Sequence, residues 1–109
     1  MSKYRREIMD KLVYIKKNFI INKVSNGYIV INTNKQFEDG HTHLKSYKAS
    51  KTAIDLVINR KIPKSTNFYY LESLIRISED KNYIKKLREL IEVRKNKGKK
   101  DKYVIKNGK

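Results

Sequence analysis

The chain has no cysteine, no tryptophan, a single proline, four glycines and only 11 Asp and Glu among its 109 residues. Without cysteine, neither a disulfide framework nor a thiolate metal site can form, and this composition suits a reducing compartment. No apolar run approaches the roughly 20 residues of a membrane-spanning helix, and Met1 to Asp10 is too charged for a signal peptide. We therefore expect a cytoplasmic protein with no membrane partner. A Gly-rich phosphate loop, a nucleophile elbow and paired catalytic carboxylates are also missing from the sequence. On that basis the chain is read as a non-enzyme, with no catalytic residue and no cofactor assigned.

What is present is positive charge. The 27 Lys and Arg give a net charge of +16, with +5 before Lys48 and +11 from there on. Such a balance points to a polyanionic partner. At this length the chain is one domain with a modest core, and we place its body at residues 1–97 with a basic tail at 98–109.

Ser2 to Asn18 carries Tyr4, Ile8, Leu12 and Ile15 at helical spacing, with Phe19 continuing the row, and predicts an amphipathic helix. The alternative is that β-prone Leu12 to Ile15 begins a strand. Phe19 to Thr33 reads as a β-hairpin: two β-branched and aromatic runs flank Ser25-Asn26-Gly27, which supplies turn residues. His41 to Leu44 is a candidate third strand. Helices are expected over Ser50 to Arg60, with Ser50 as the cap, and over Phe68 to Ile77. A last helix starts at Ser78, shows an apolar stripe of Tyr83, Ile84, Leu87, Leu90 and Ile91, and runs out at Gly98. The tail that follows reads as solvated and disordered, with Val104-Ile105 able to dock as an added strand. The fold class is thus α+β: a hairpin or three-stranded antiparallel sheet packed with three to four helices.

His41 and His43 would point the same way from a strand, and Glu38 or Asp39 could join them at a metal. With no third histidine and no cysteine, the better reading is a surface strand whose histidines contact phosphate or a partner. The helices around Pro63 also invite a helix-turn-helix reading, although the Lys61 to Thr66 connection is long for one. The pattern that fits best is aromatic rings among cations, which is how unpaired nucleic acid is held. Candidate binding residues are Lys61 and Lys64 at the turn; Lys85, Lys86, Arg88, Arg94 and Lys95 on the last helix; and Lys97, Lys99, Lys100 and Lys102 in the tail. Tyr69 and Tyr103 are the stacking candidates, and Tyr28 and Tyr47 are also expected to be exposed.

Gly40-His41-Thr42-His43, Ile62-Pro63, Leu71 to Ser78 and Lys97-Gly98-Lys99-Lys100 together resemble a group of small basic proteins. These are carried by plasmids and prophages of low-GC Gram-positive bacteria, and the resemblance covers roughly Gly40 to Tyr103. It implies a mobile-element accessory protein, a company that includes anti-CRISPR proteins. A basic member would bind guide RNA or the nucleic-acid-facing surface of the effector. The expected partner is RNA or a ribonucleoprotein effector, with duplex DNA bound by a helix-turn-helix regulator as the alternative and a His-dependent metal nuclease behind both. The sequence does not address oligomeric state.

Overall fold

The structure, a computed structural model, describes residues 11–64 and 67–107, with side chains described as far as Lys95. Four strands, β1 (Leu12–Lys16), β2 (Phe19–Val24), β3 (Gly27–Asn32) and β4 (His41–Leu44), form one antiparallel sheet in chain order. Three helices follow: α1 (Tyr47–Asn59), α2 (Phe68–Ile77) and α3 (Lys81–Asn107). The α+β class holds, and the sheet has four strands instead of three.

The extra strand is β1, where the helical reading gives way over Leu12–Lys16 to its alternative, a strand beginning at Leu12. Its side chains alternate, with Leu12, Tyr14 and Lys16 half-buried and Val13 and Ile15 exposed. Period two wins over the helical spacing because β1 pairs with β2 through a tight turn in which Lys17 takes φ 55°. Residues 2–10 of the expected helix lie outside the described residues. The β2–β3 hairpin forms as predicted, with Ile21 opposite Val30 and Val24 opposite Gly27. Gly27 is required there: φ is +146°, and a Cβ would sit 2.5 Å from the Leu44 carbonyl oxygen.

Two caps differ from expectation. Ser46, not Ser50, caps α1 and accepts the Ala49 N–H at 2.8 Å, while Ser50 is buried one turn in, its hydroxyl donating to the Ser46 carbonyl. At α3, Asp80 accepts the Tyr83 N–H at 2.9 Å, and Ser78 accepts the Asp80 N–H. Both serines expected as caps therefore stand near helix starts without being the capping residue. α2 spans the predicted residues and is capped by Asn67.

α3 does not stop at Gly98 but continues to Asn107. One glycine costs a helix only about 1 kcal/mol relative to alanine, and no proline follows to end it. The disordered tail and the added strand at Val104-Ile105 are accordingly replaced by helix.

The core joins Phe19, Ile21, Val30 and Leu44 of the sheet to Ala53, Ile54 and Val57 of α1 and to Leu71, Leu74 and Ile77 of α2. Tyr83, Leu87 and Ile91 of α3 complete it, at steps of four residues along one side of the helix. Each such buried side chain contributes about 1.5–3 kcal/mol of transfer free energy. Packing thus fixes the first three turns of α3 and leaves the opposite side of the helix to solvent.

Candidate nucleic-acid interface

At the joint between α2 and α3 the polar groups are spent on each other. Asn32, fully buried on β3, donates its amide to the Ile77 carbonyl at 2.9 Å and to Glu79 at 3.0 Å. Its amide oxygen accepts from the Asn18 side chain and the Asn34 N–H, both at 2.8 Å. The hydrogen bonds from Asn32, then those from Asn34, hold the Glu79 carboxyl below its ordinary range. Asp80 is likewise lowered, first by the Tyr83 N–H it caps and then by Arg60, with which it forms an ion pair. Lys35 donates to the Arg76 and Ser78 carbonyls.

The turn lysines are carried to α3 by two backbone contacts. The Tyr83 hydroxyl donates to the Lys61 carbonyl at 2.8 Å, and Arg94 donates to the Lys64 carbonyl. Lys61 and Lys64, both exposed, therefore lie along the same helix as the other predicted cations. Arg94 serves as a tether for this loop. Lys85, Lys86, Arg88 and Lys95 are exposed, and the ion pairs formed among the described residues, Lys16–Asp55 and Arg60–Asp80, involve none of them. Arg88 and Lys95 line a groove between α2 and α3 with Glu72, Ile75 and Ile91. Lys97, Lys99, Lys100, Lys102 and Tyr103 fall on the helical backbone of α3, outside the described side chains.

Tyr69 keeps an exposed ring, 58% accessible, and its hydroxyl donates to the His43 carbonyl at 2.6 Å. Arg76 donates to the His41 and Glu38 carbonyls at 2.8 and 2.7 Å. Thr42 is the β4 residue opposite Val30, and its hydroxyl donates to buried Ser73. Together Tyr69 and Arg76 occupy carbonyls of β4, an edge strand, which blunts it against pairing with another chain. Arg76 is thereby removed from the outward face of α2, and the connection from α1 to α2 runs eight residues, Arg60 to Asn67.

His41 and His43 do approach each other, with ring centroids 5.2 Å apart. His41 stacks on Phe37 at 4.0 Å, and its Nδ1 faces the Phe37 carbonyl. His43 is pushed below its ordinary value, first by burial and then by the neighbouring His41 and Arg76 charges. Among the described residues no three His, Cys, Asp or Glu side chains gather as a metal site would need.

Sequence reasoning singles out Tyr28 and Tyr47 as candidate exposed rings but does not bring them together with Tyr14, Lys23 and Lys51. Tyr14, Tyr28 and Tyr47 meet at the start of α1, with Tyr47 lying 6.3 Å from Tyr14 and 5.5 Å from Tyr28 between ring centroids. The Lys51 ammonium stands over Tyr47 and Tyr14, and Lys23 stands over Tyr28. Tyr28 and Tyr47, candidates for exposed rings in the sequence, are half-buried. Taking Leu12 to Ile15 as a strand places Tyr14 on the sheet beside them, and that is the signal that could have found the cluster. No described helix is long and apolar enough to cross a membrane. Neither a protein-family model, a curated protein nor a solved structure matches this chain.

Proposed function

We propose that this chain binds RNA, free or within a ribonucleoprotein, through α3 and the Arg60 to Lys64 loop. The observation that carries the reading is the charge of α3. Its 27 residues hold eleven Lys and Arg against three Asp and Glu, half of the net charge of the chain. At about 1.5 Å per residue the helix is roughly 40 Å long. That is enough to follow a nucleic-acid backbone past several phosphates, and the mechanism is occupancy: cations neutralise phosphate, release counterions and block access to the bound strand.

The narrower form of this proposal is an inhibitor of an RNA-guided nuclease, supported by the resemblance to small basic mobile-element proteins. A duplex-DNA regulator built on α1 and α2 competes with it. For that role α2 offers Tyr69 and Glu72 outward, with Arg76 engaged on carbonyls.

The test is binding to single-stranded RNA, hairpin RNA, duplex DNA and a guide-loaded effector, each at several salt concentrations. The expected result is tight, salt-sensitive binding to one RNA form or to the loaded effector, with reduced cleavage by the latter. Weak binding to all four at low salt overturns the proposal, and preference for one duplex sequence transfers it to the DNA regulator.

A further inference from the structure

α3 is not the only cationic region. From Lys11 to Phe37 the sequence has five lysines and no acid, and from His41 to Ile54 it has three more lysines and again no acid. These stretches build β1, β2, β3, β4 and the first two turns of α1, and the fold joins them at the Tyr14, Tyr28 and Tyr47 corner. The first carboxylate along α1, Asp55, is engaged by Lys16 at 2.7 Å. Neither Lys23 nor Lys51 forms an ion pair among the described residues; Lys23 stands 5.3 Å from the centre of Tyr28, and Lys51 stands 4.9 Å from Tyr47 and 5.5 Å from Tyr14.

All three rings pack against the core while remaining partly open to solvent. Packing alone would be served by any side chain filling the inner half of each site; it does not call for two ammonium groups over the rings with no ion-pair partner among the described residues. A ring braced on a core is already ordered, so stacking a planar group on it costs little further entropy. Aromatic faces beside lysines are what an unpaired strand uses: bases stack on the rings and phosphates meet the ammonium groups.

We infer that the Tyr14, Tyr28 and Tyr47 corner is a second nucleic-acid contact, taking unpaired bases of RNA on its rings and the adjoining phosphates on Lys23 and Lys51. This rests on the RNA-binding reading above and adds a requirement to it. The ligand must present a single-stranded segment, because a paired base keeps its faces inside its own stack. α3 reads charge, and the corner reads unpaired bases.

The experiment compares a short unstructured RNA with an RNA duplex of equal length, using the full chain. Wild type is expected to prefer the unpaired RNA. Tyr28→Leu with Tyr47→Leu should weaken that complex about tenfold or more, leave duplex binding unchanged and leave the salt slope unaltered. Tyr47→Phe, which keeps the ring, should bind as wild type. Lys23→Gln with Lys51→Gln should flatten the salt slope by about 0.7 units for each phosphate that these lysines neutralise. Because the leucine variant removes packing as well, wild type is also photocrosslinked to RNA containing 4-thiouridine. Adducts on the peptides holding Tyr28 or Tyr47 support the site.

Adducts confined to α3, equal affinity for paired and unpaired RNA, or a folded leucine variant with wild-type preference would each overturn this site while leaving the α3 reading standing. Absence of binding by wild type to either RNA overturns both.

Discussion

At the joint between α2 and α3, polar groups find partners inside the protein; along the outer side of α3, Lys85, Lys86, Arg88 and Lys95 form no ion pair among the described residues. The chain has few acids, and it places Glu79 and Asp80 where they cap α3 and tie it to the sheet. Along α3 the cations outnumber the acids eleven to three, and the excess repels itself, which costs stability. On the proposed function, charge retained on a helix that packs through Tyr83, Leu87, Leu90 and Ile91 is there to meet a polyanion. The joint is therefore where substitutions should cost stability, and the helix where they should cost affinity.

The largest expected effect lies at the joint. Asn32→Leu removes one side chain and strands the Ile77 carbonyl and the Asn34 N–H, so stability should fall by about 2–4 kcal/mol in urea unfolding. Asn22 on β2 supplies the control: it is as deeply buried, yet neither atom of its amide has a hydrogen-bond partner among the described residues. Asn22→Leu should be neutral or stabilising by about 1 kcal/mol. If the two substitutions behaved alike, hydrogen bonding at the joint would not be what separates them.

Next in size is the response to acid. Folding lowers the carboxyl groups of Glu79 and Asp80 beneath their ordinary values of 4.5 and 3.8. Below its ordinary value, an unfolded carboxylate binds a proton more readily than the folded one. The stability these groups confer is thus fully present above about pH 5 and is lost as pH drops through their folded values. Glu79→Gln should lower the stability measured at neutral pH and shrink the difference between neutral and acid conditions. An unchanged pH profile would mean that Glu79 contributes no linkage to folding.

A smaller effect is expected at the β4 edge. Arg76→Ala frees the His41 and Glu38 carbonyls, costing about 0.5–1.5 kcal/mol. It should also raise self-association in sedimentation, since an uncovered edge is a template for pairing. A variant that self-associates no more than wild type at high concentration would show that the Arg76 contacts are not what protects the edge.

How much of this is legible in the sequence depends on how local each signal is. The β2–β3 hairpin is readable because Ser25-Asn26-Gly27 sits between two β-branched runs, and α2 because Asn67 and Ser78 bracket it. β1 is readable only as one of two alternatives, because Leu12, Ile15 and Phe19 satisfy a helical spacing and only pairing with β2 selects the strand. Ser46 and Ser50 are the same residue type four positions apart, so the cap is decided by burial of Ser50 in the folded core. The α3 cations are visible as a charge run. That the Lys61 to Lys64 loop lies on α3 depends on Tyr83 and Arg94, well separated along the helix, reaching carbonyls far back in the chain.

The smallest effect on folding, and the sharpest test of the division between joint and helix, comes from the lysines of α3. Replacing Lys95, Lys97, Lys99 and Lys100 with Ala removes four charges from exposed or undescribed positions beyond the packed stripe. Surface substitutions of this kind usually shift stability by less than about 0.5 kcal/mol each, and alanine supports the helix. Binding to RNA should weaken, and its salt slope should fall by about 0.7 units for each phosphate no longer neutralised. If the slope fell while the urea midpoint held, charge on α3 would be separable from the fold, as the joint's charge is not. If the slope stayed fixed, the phosphates would have to be held elsewhere, and the tyrosine corner with Lys23 and Lys51 would be the next region to substitute.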